Sequence, residues 1–188
     1  KTHIPGLVFY NNDELPDRST NLPHMLPSPE AFAEAAENLG LDREAEIVAY
    51  DALGMFSAPR AWWTLRAMGY GKVRVLDGGL KAWLAEGRPV EAGETYPTHA
   101  RVAPAFRPGL VRALHEVRAA LEAGGQVGDG RPPARFRGET PEPRAGLRSG
   151  HMPGACSLPY GDLVTSEGKL RPAAELKAAF AEAGVDLA

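Results

Sequence analysis

The chain has 188 residues, of which 44% are hydrophobic and 24% charged, and its formal net charge at pH 7 is −3. This composition is ordinary for a globular protein, and the interspersed charges give no general attraction to nucleic acid or to an anionic membrane. A single cysteine excludes an internal disulfide framework and a multi-cysteine zinc site. No apolar run approaches the ~20 residues of a membrane-spanning helix, and the first residues lack a signal-peptide pattern, so we expect a soluble, cytoplasmic protein.

The first half of the chain alternates short apolar runs with amphipathic segments. We expect strands at 7–10, 47–50 and 73–76, and helices at 29–39, 58–68 and 80–86. Ser28 and Ser57 each precede a first turn that contains proline, which is typical of a helix N-cap. Strands that alternate with helices at this spacing predict an α/β fold with a mostly parallel sheet and helices on its faces.

The alternation lapses after residue 89, where the sequence becomes polar and rich in proline and glycine. We interpret this change as an interdomain connection. The predicted division is a first domain at 1–91, a linker at 92–108 and a second domain at 109–188. In the second domain we expect helices at 110–123 and 172–183, and strands near 126–127 and 156–158.

Residues 129–155 contain five arginines set among prolines and glycines. The prolines remove backbone donors and the glycines loosen the chain, so this stretch cannot be a regular helix or an inner strand. We expect a long, shaped loop, and loops of this length in compact domains are usually functional or disordered. Phe136, Leu147 and Met152 are apolar anchors that favour order.

Two short motifs recur in the chain. HIPG at residue 3 returns as HMPG at residue 151, and LGLD at residue 39 returns as AGVD at residue 183, with the same order of turn, strand, polar loop and helix between them. We infer two tandem copies of one α/β unit. Because each copy has a segment that the other lacks, we expect the chain to be cut within both domains.

Longer motifs give a more specific match. They are PHMLP at 23–27, YDALGMFSAPRAWW at 50–63, LDGGLKAW at 76–83 and ARFRGETPEPRAGLRSGHMPGA at 134–155. With these motifs the chain resembles the two-domain rhodanese-like sulfurtransferases, and among them the 3-mercaptopyruvate sulfurtransferases.

The resemblance implies tandem rhodanese-like domains, each a mostly parallel sheet with helices on both faces, of which the second is catalytic. It implies a cysteine that takes sulfur from a small-molecule donor, becomes a persulfide, and passes the sulfur to a small thiol, to cyanide or to a thioredoxin-like acceptor. It implies no cofactor. The loop that carries this cysteine would follow Ala188, so we expect the nucleophile to be missing from the chain.

The resemblance also assigns roles to two arginines of the loop. Arg135 and Arg144 match the family's arginines that bind the carboxylate and carbonyl of mercaptopyruvate, a task that suits a planar, permanently charged guanidinium. Members that use thiosulfate lack an arginine at the position of Arg144. From the residues alone, ion pairs with Glu139 and Glu142 are an equally good account of both arginines.

Three residues of the first domain match family positions near the active site. Asp13 and His24 match an aspartate and a histidine that support catalysis, and Arg60 matches a substrate-facing position. A histidine can transfer protons near neutral pH. The alternatives are a turn aspartate, a surface histidine and an arginine that packs on a helix face.

Cys156 begins a predicted strand and has no loop of backbone donors after it, so we interpret it as a small apolar residue and not as the nucleophile. Asp51 occupies the first-domain counterpart of the catalytic loop, and a carboxylate cannot carry sulfane sulfur. The leading hypothesis is therefore a mercaptopyruvate sulfurtransferase. The alternatives are a thiosulfate sulfurtransferase and a catalytically inactive rhodanese-like binding module.

Overall fold

A computed structural model describes residues 2–12, 15, 22 and 24–187. The chain forms two compact units, Lys1–Val111 and Arg112–Ala188. The helices are α1 Pro29–Asn38, α2 Ala58–Ala67, α3 Gly79–Ala85, α4 Leu114–Glu122, α5 Pro133–Phe136 and α6 Ala173–Glu182. The strands are β1 Thr2–His3, β2 Ile47–Ala49, β3 Val73–Val75, β4 Glu91–Ala92, β5 Gly128–Asp129 and β6 Cys156–Ser157.

The first unit begins its main helices where the sequence predicts them. In α1 the Ser28 hydroxyl accepts a hydrogen bond from the Ala31 N–H at 3.2 Å, which confirms the predicted N-cap. Helix α2 begins after Ser57 as expected, but the Ser57 side chain makes no cap. The carboxylate of Asp51 accepts the Ala58 N–H instead, at 2.9 Å. The predicted cap of α2 is therefore wrong, although the helix start is right.

The first unit has a two-stranded parallel sheet in which Ile47 pairs with Val73. Its core is formed mainly by α1, α2 and the residues directly after α2, and its largest buried side chains are Phe32, Met68 and Tyr70. The strand predicted at 7–10 is wrong: this run forms no ladder with any strand of the described residues, and Tyr10 packs against the core. Strand β1 lies earlier in the chain and pairs with β4 in antiparallel register.

The proline-rich stretch predicted as a linker packs along the first unit. Val102 is 5% exposed and belongs to the core, and its N–H donates to the Glu37 carboxylate at 3.0 Å. The Arg107 N–H donates at 2.7 Å to the carbonyl of Ala67, the last residue of α2. Residues 100–107 therefore add backbone contacts and apolar surface to this unit.

The second unit has the parallel pair β5 and β6, with Asp129 opposite Ser157. None of its described residues is fully buried. Helix α4 begins at Leu114, later than predicted, because residues 108–110 form a separate 3₁₀ turn and Ala113 is extended. The stretch predicted to hold no helix contains α5, a single turn that begins with proline at a position where its missing N–H is harmless.

Within the described part of the chain, no helix combines the length and the hydropathy required to cross a bilayer.

Candidate functional site

The arginine-rich loop of the second unit is organised by Arg131. Its Nε and Nη2 donate to the Asp129 carboxylate, the Nη2 contact being 2.6 Å. Nη1 donates to Glu142 at 2.8 Å, and Nη2 also donates to the Gly150 carbonyl at 2.8 Å. One guanidinium therefore joins the end of β5, the middle of the loop and the turn before β6. The hydrogen bonds that Arg131 donates stabilise the ionised form of Asp129, so the pKa of Asp129 lies below its ordinary value.

Glu142 receives hydrogen bonds from two arginines. Its side chain is 5% exposed. Besides the bond from Arg131, Oε1 accepts from Nε of Arg135 at 3.3 Å, and Oε2 accepts from Nη2 of Arg135. The bond from Arg135 lowers the pKa of Glu142 and outweighs the opposite effect of desolvation, so the carboxyl group stays ionised at neutral pH.

The two arginines predicted to bind substrate differ in their surroundings. Arg135 makes the predicted ion pair with Glu142 through Nε and Nη2, and the contacts described above leave its Nη1 unused. Arg144, two residues after Glu142, is exposed and forms no ion pair with any residue that the structure describes. Glu139 pairs with Arg137 at 2.7 Å and not with either of them. An anion can therefore approach Arg144 freely and Arg135 from one side.

The ends of the loop are held together by a stacked pair. The rings of Phe136 and His151 lie 3.8 Å apart at 10°. Nδ1 of His151 lies 2.8 Å from the Phe136 carbonyl, which places the proton on Nδ1. Gly138 has φ +75°, and a Cβ there would lie 3.3 Å from the Gly150 nitrogen, so the two halves of the loop approach closely at this glycine.

In the first unit, Arg60 and His24 lie together. Arg60, on α2, donates from Nη2 to the main-chain carbonyl of His24. Its guanidinium lies 4.7 Å above the ring of Trp63. Desolvation lowers the pKa of Arg60, and His24 is exposed with φ 57°. Asp13, predicted with His24 to support catalysis, lies outside the described residues.

The loop between β2 and α2 surrounds the Asp51 carboxylate with backbone donors. They are the N–H groups of Leu53, Gly54, Phe56, Ser57 and Ala58, at 2.6–2.9 Å. Burial raises the pKa of Asp51, but the hydrogen bonds outweigh it and the pKa lies below its ordinary value of 3.8. The amides of this loop are therefore occupied by a carboxylate of the same chain.

Cys156 lies in β6 and is partly buried. Its Sγ donates to the Val127 carbonyl at 3.5 Å. None of the described His, Cys, Asp and Glu residues form a group that could hold a metal ion.

The residues alone offered the Arg135–Glu142 ion pair as an alternative, but the sequence did not identify the cluster that this pair forms with Asp129 and Arg131. One available signal was the Asp-x-Arg spacing directly after a predicted strand, since a carboxylate at a strand end can accept from the N–H and guanidinium two residues later. Spacing alone could not decide which arginine binds Glu142, because the same loop contains five arginines.

Comparison with known proteins shows the family. Residues 1–86 match the rhodanese-like domain family. The chain is 40% identical over 188 residues to human 3-mercaptopyruvate sulfurtransferase and 40% identical over 191 residues to chicken thiosulfate sulfurtransferase, aligning over 98% of its length in both cases. It spans 63% and 64% of the lengths of these two relatives.

A solved structure agrees with this. The crystal structure of SseA from Escherichia coli, described as the "Rhodanese" fold of 3-mercaptopyruvate sulfotransferases, matches with a TM-score of 0.90 and 41% identity, over 98% of this chain and 69% of that one. The chain therefore belongs to the rhodanese-like sulfurtransferase family.

Proposed function

We propose that the protein is a sulfurtransferase that moves sulfane sulfur from 3-mercaptopyruvate, through a cysteine persulfide, to a small thiol, cyanide or a thioredoxin-like acceptor. The observation that carries this proposal is the pair of arginines in the loop of the second unit. Arg144 is exposed without an ion-pair partner among the described residues, and Arg135 is fixed on one edge only. Such a pair can bind a 2-oxo carboxylate.

In this proposal Arg144 and Arg135 bind different groups of the substrate. Arg144 offers both N–H groups of a full edge, which matches a carboxylate held by two parallel hydrogen bonds. Arg135, whose Nε and Nη2 bind Glu142, offers Nη1 to the carbonyl oxygen. Arg60, whose guanidinium lies over Trp63, stays a predicted substrate contact, and Asp13 and His24 stay predicted supporting residues.

The reaction transfers one sulfur atom. A cysteine thiolate attacks the sulfur of 3-mercaptopyruvate, the carbon–sulfur bond breaks, and the carbon takes a proton to give pyruvate. The resulting persulfide gives its outer sulfur to cyanide or to a thiol, which restores the thiolate. We propose that this cysteine is not Cys156, which lies within β6 and whose thiol donates to the Val127 carbonyl.

The recurring motifs support two rhodanese-like domains in tandem, the second of which is catalytic. The Asp51 carboxylate fills the amide-lined loop after β2, which supports a non-catalytic role for the first. A cytoplasmic location stays a prediction.

The donor is tested by Arg144→Ala in the gene product that carries this chain. Loss of a charged hydrogen-bond donor is worth about 1.5–3 kcal/mol, so we expect turnover of 3-mercaptopyruvate to fall by about 10–100-fold while turnover of thiosulfate changes by less than about threefold. The matched control is Arg148→Ala, four residues further along the same loop and also exposed, which should leave both rates unchanged.

Equal losses on both donors would favour the thiosulfate alternative. That alternative has support from the name of the chicken relative. Binding of 3-mercaptopyruvate without any transfer of sulfur would favour the inactive binding module.

A further inference from the structure

Glu142 joins two arginines through a single carboxylate. Oε1 lies 2.8 Å from Nη1 of Arg131 and 3.3 Å from Nε of Arg135, and Oε2 accepts from Nη2 of Arg135. The Glu142 side chain is 5% exposed, whereas those of the arginines are 28% and 29% exposed. The carboxylate is therefore beneath the two guanidiniums, which remain partly open to solvent.

We propose that Glu142 is a positioning residue that holds Arg135 in the orientation needed to bind the 2-oxo acid. A guanidinium is planar, so fixing its Nε and Nη2 on one carboxylate also fixes the direction of its Nη1. Arg135 then meets the substrate without first losing the rotamer freedom of a long side chain, which otherwise weakens binding. This inference rests on the proposed function.

Glu142 can do this because it is itself held. Arg131 binds Glu142 and is tied to Asp129 at the end of β5 and to the Gly150 carbonyl. The order of contacts is Asp129, Arg131, Glu142, Arg135, which links the substrate-facing guanidinium to a backbone ladder. The two carboxylates of the cluster balance the charges of its two guanidiniums. Arg135 therefore contributes to binding more through the direction of its N–H groups than through net positive charge.

Neutralising Glu142 has two opposed effects, and their balance tests the inference. Removal of a negative charge beside Arg135 makes the site more positive, which strengthens the binding of an anion. Removal of the fixed acceptor frees Arg135, which weakens it. Our proposal predicts that the second effect dominates, so that Glu142→Gln weakens binding by about tenfold.

The probe is pyruvate, which has the 2-oxo carboxylate but no transferable sulfur, titrated into the protein by calorimetry. Glu142→Gln should raise the Kd about tenfold, and Glu142→Asp, which restores the charge on a shorter arm, should recover part of that loss. Glu139→Gln is the matched control, because Glu139 pairs with the exposed Arg137 only; it should leave the Kd unchanged.

A second readout follows Arg135 directly. In ¹⁵N NMR spectra the Nε–H of Arg135 should exchange with water faster in Glu142→Gln than in the wild type, with the backbone amides of the second unit unshifted beyond the loop. An unchanged or lower Kd in Glu142→Gln, or an unchanged exchange rate, would overturn the positioning role alone. If the wild type binds neither pyruvate nor 3-mercaptopyruvate, the proposed function fails and the positioning role falls with it.

Discussion

Replacing Asp51 by asparagine should destabilise the first unit by removing two of five hydrogen bonds. Oδ1 accepts the N–H groups of Leu53 and Gly54, and Oδ2 accepts those of Phe56, Ser57 and Ala58. Asparagine has nearly the same shape but only one acceptor oxygen. Whichever way the amide turns, at least two backbone donors face an NH₂ group.

The magnitude follows from the burial of those donors. The amide keeps the most hydrogen bonds when its oxygen faces Phe56, Ser57 and Ala58. In that orientation the N–H of Gly54, which is partly buried, loses its acceptor, while that of Leu53 is exposed and can bind water. An unsatisfied buried donor costs about 1–3 kcal/mol, so we expect a loss of about that size. In a unit of this size that lowers Tm by about 4–12 °C.

Tryptophan fluorescence during unfolding measures the stability that Asp51→Asn removes from the first unit. All three tryptophans, at positions 62, 63 and 83, lie in the first unit. The control is Asp42→Asn, because Asp42 accepts one backbone N–H through Oδ1 at 2.9 Å, which asparagine can keep; its effect should stay within about 0.5 kcal/mol. If Asp51→Asn costs no more than this control, the hydrogen bonds to Asp51 do not stabilise the loop.

The same substitution has a pH signature. Because the pKa of Asp51 is depressed in the folded state, its contribution to stability is complete above the ordinary pKa of 3.8 and is lost as pH falls through the folded value. The stability difference between wild type and Asp51→Asn should therefore shrink below about pH 4. A difference that grows on acidification would contradict this assignment.

Two further predictions concern Tyr10 and Cys156. Burial raises the pKa of Tyr10 to about 12, so the folded protein should keep Tyr10 protonated beyond pH 10. The free energy of unfolding should therefore fall by about 2–3 kcal/mol between about pH 10 and 12, and Tyr10→Phe should remove this pH dependence. An ordinary phenol titration of Tyr10 in ultraviolet absorbance would refute the prediction. Cys156→Ser should leave sulfur transfer within about twofold of the wild-type rate, because its thiol donates to the Val127 carbonyl; abolished transfer would make Cys156 the nucleophile.

The sequence predicted correctly those helix starts that depend on residues within one turn of each other. The serine and proline that begin α1 act within one turn, and the structure confirms their roles at Ser28 and Pro29. The run at 7–10 has the composition of a strand but pairs with no strand among the described residues, and pairing depends on distant residues. Composition alone therefore could not decide between a strand and an unpaired segment that packs Tyr10 against the core.

In the candidate site, too, the sequence identified single residues but not the contacts between distant ones. The resemblance selected Arg135 and Arg144, but not what holds Arg135 in place. Arg131 lies two residues from Asp129 yet eleven from Glu142 and nineteen from Gly150, and only the folded loop brings these groups together. The cap of α2 is a similar case, since Asp51 reaches it across a loop of six residues.

The central claim is that sulfur leaves 3-mercaptopyruvate, and the most direct measurement is the yield of both products in the gene product that carries this chain. With cyanide as acceptor, we expect pyruvate and thiocyanate in equal amounts, at a rate that exceeds the rate with thiosulfate and collapses in Arg144→Ala. Thiocyanate formed from thiosulfate but not from 3-mercaptopyruvate, or a rate that Arg144→Ala leaves unchanged, would contradict the account.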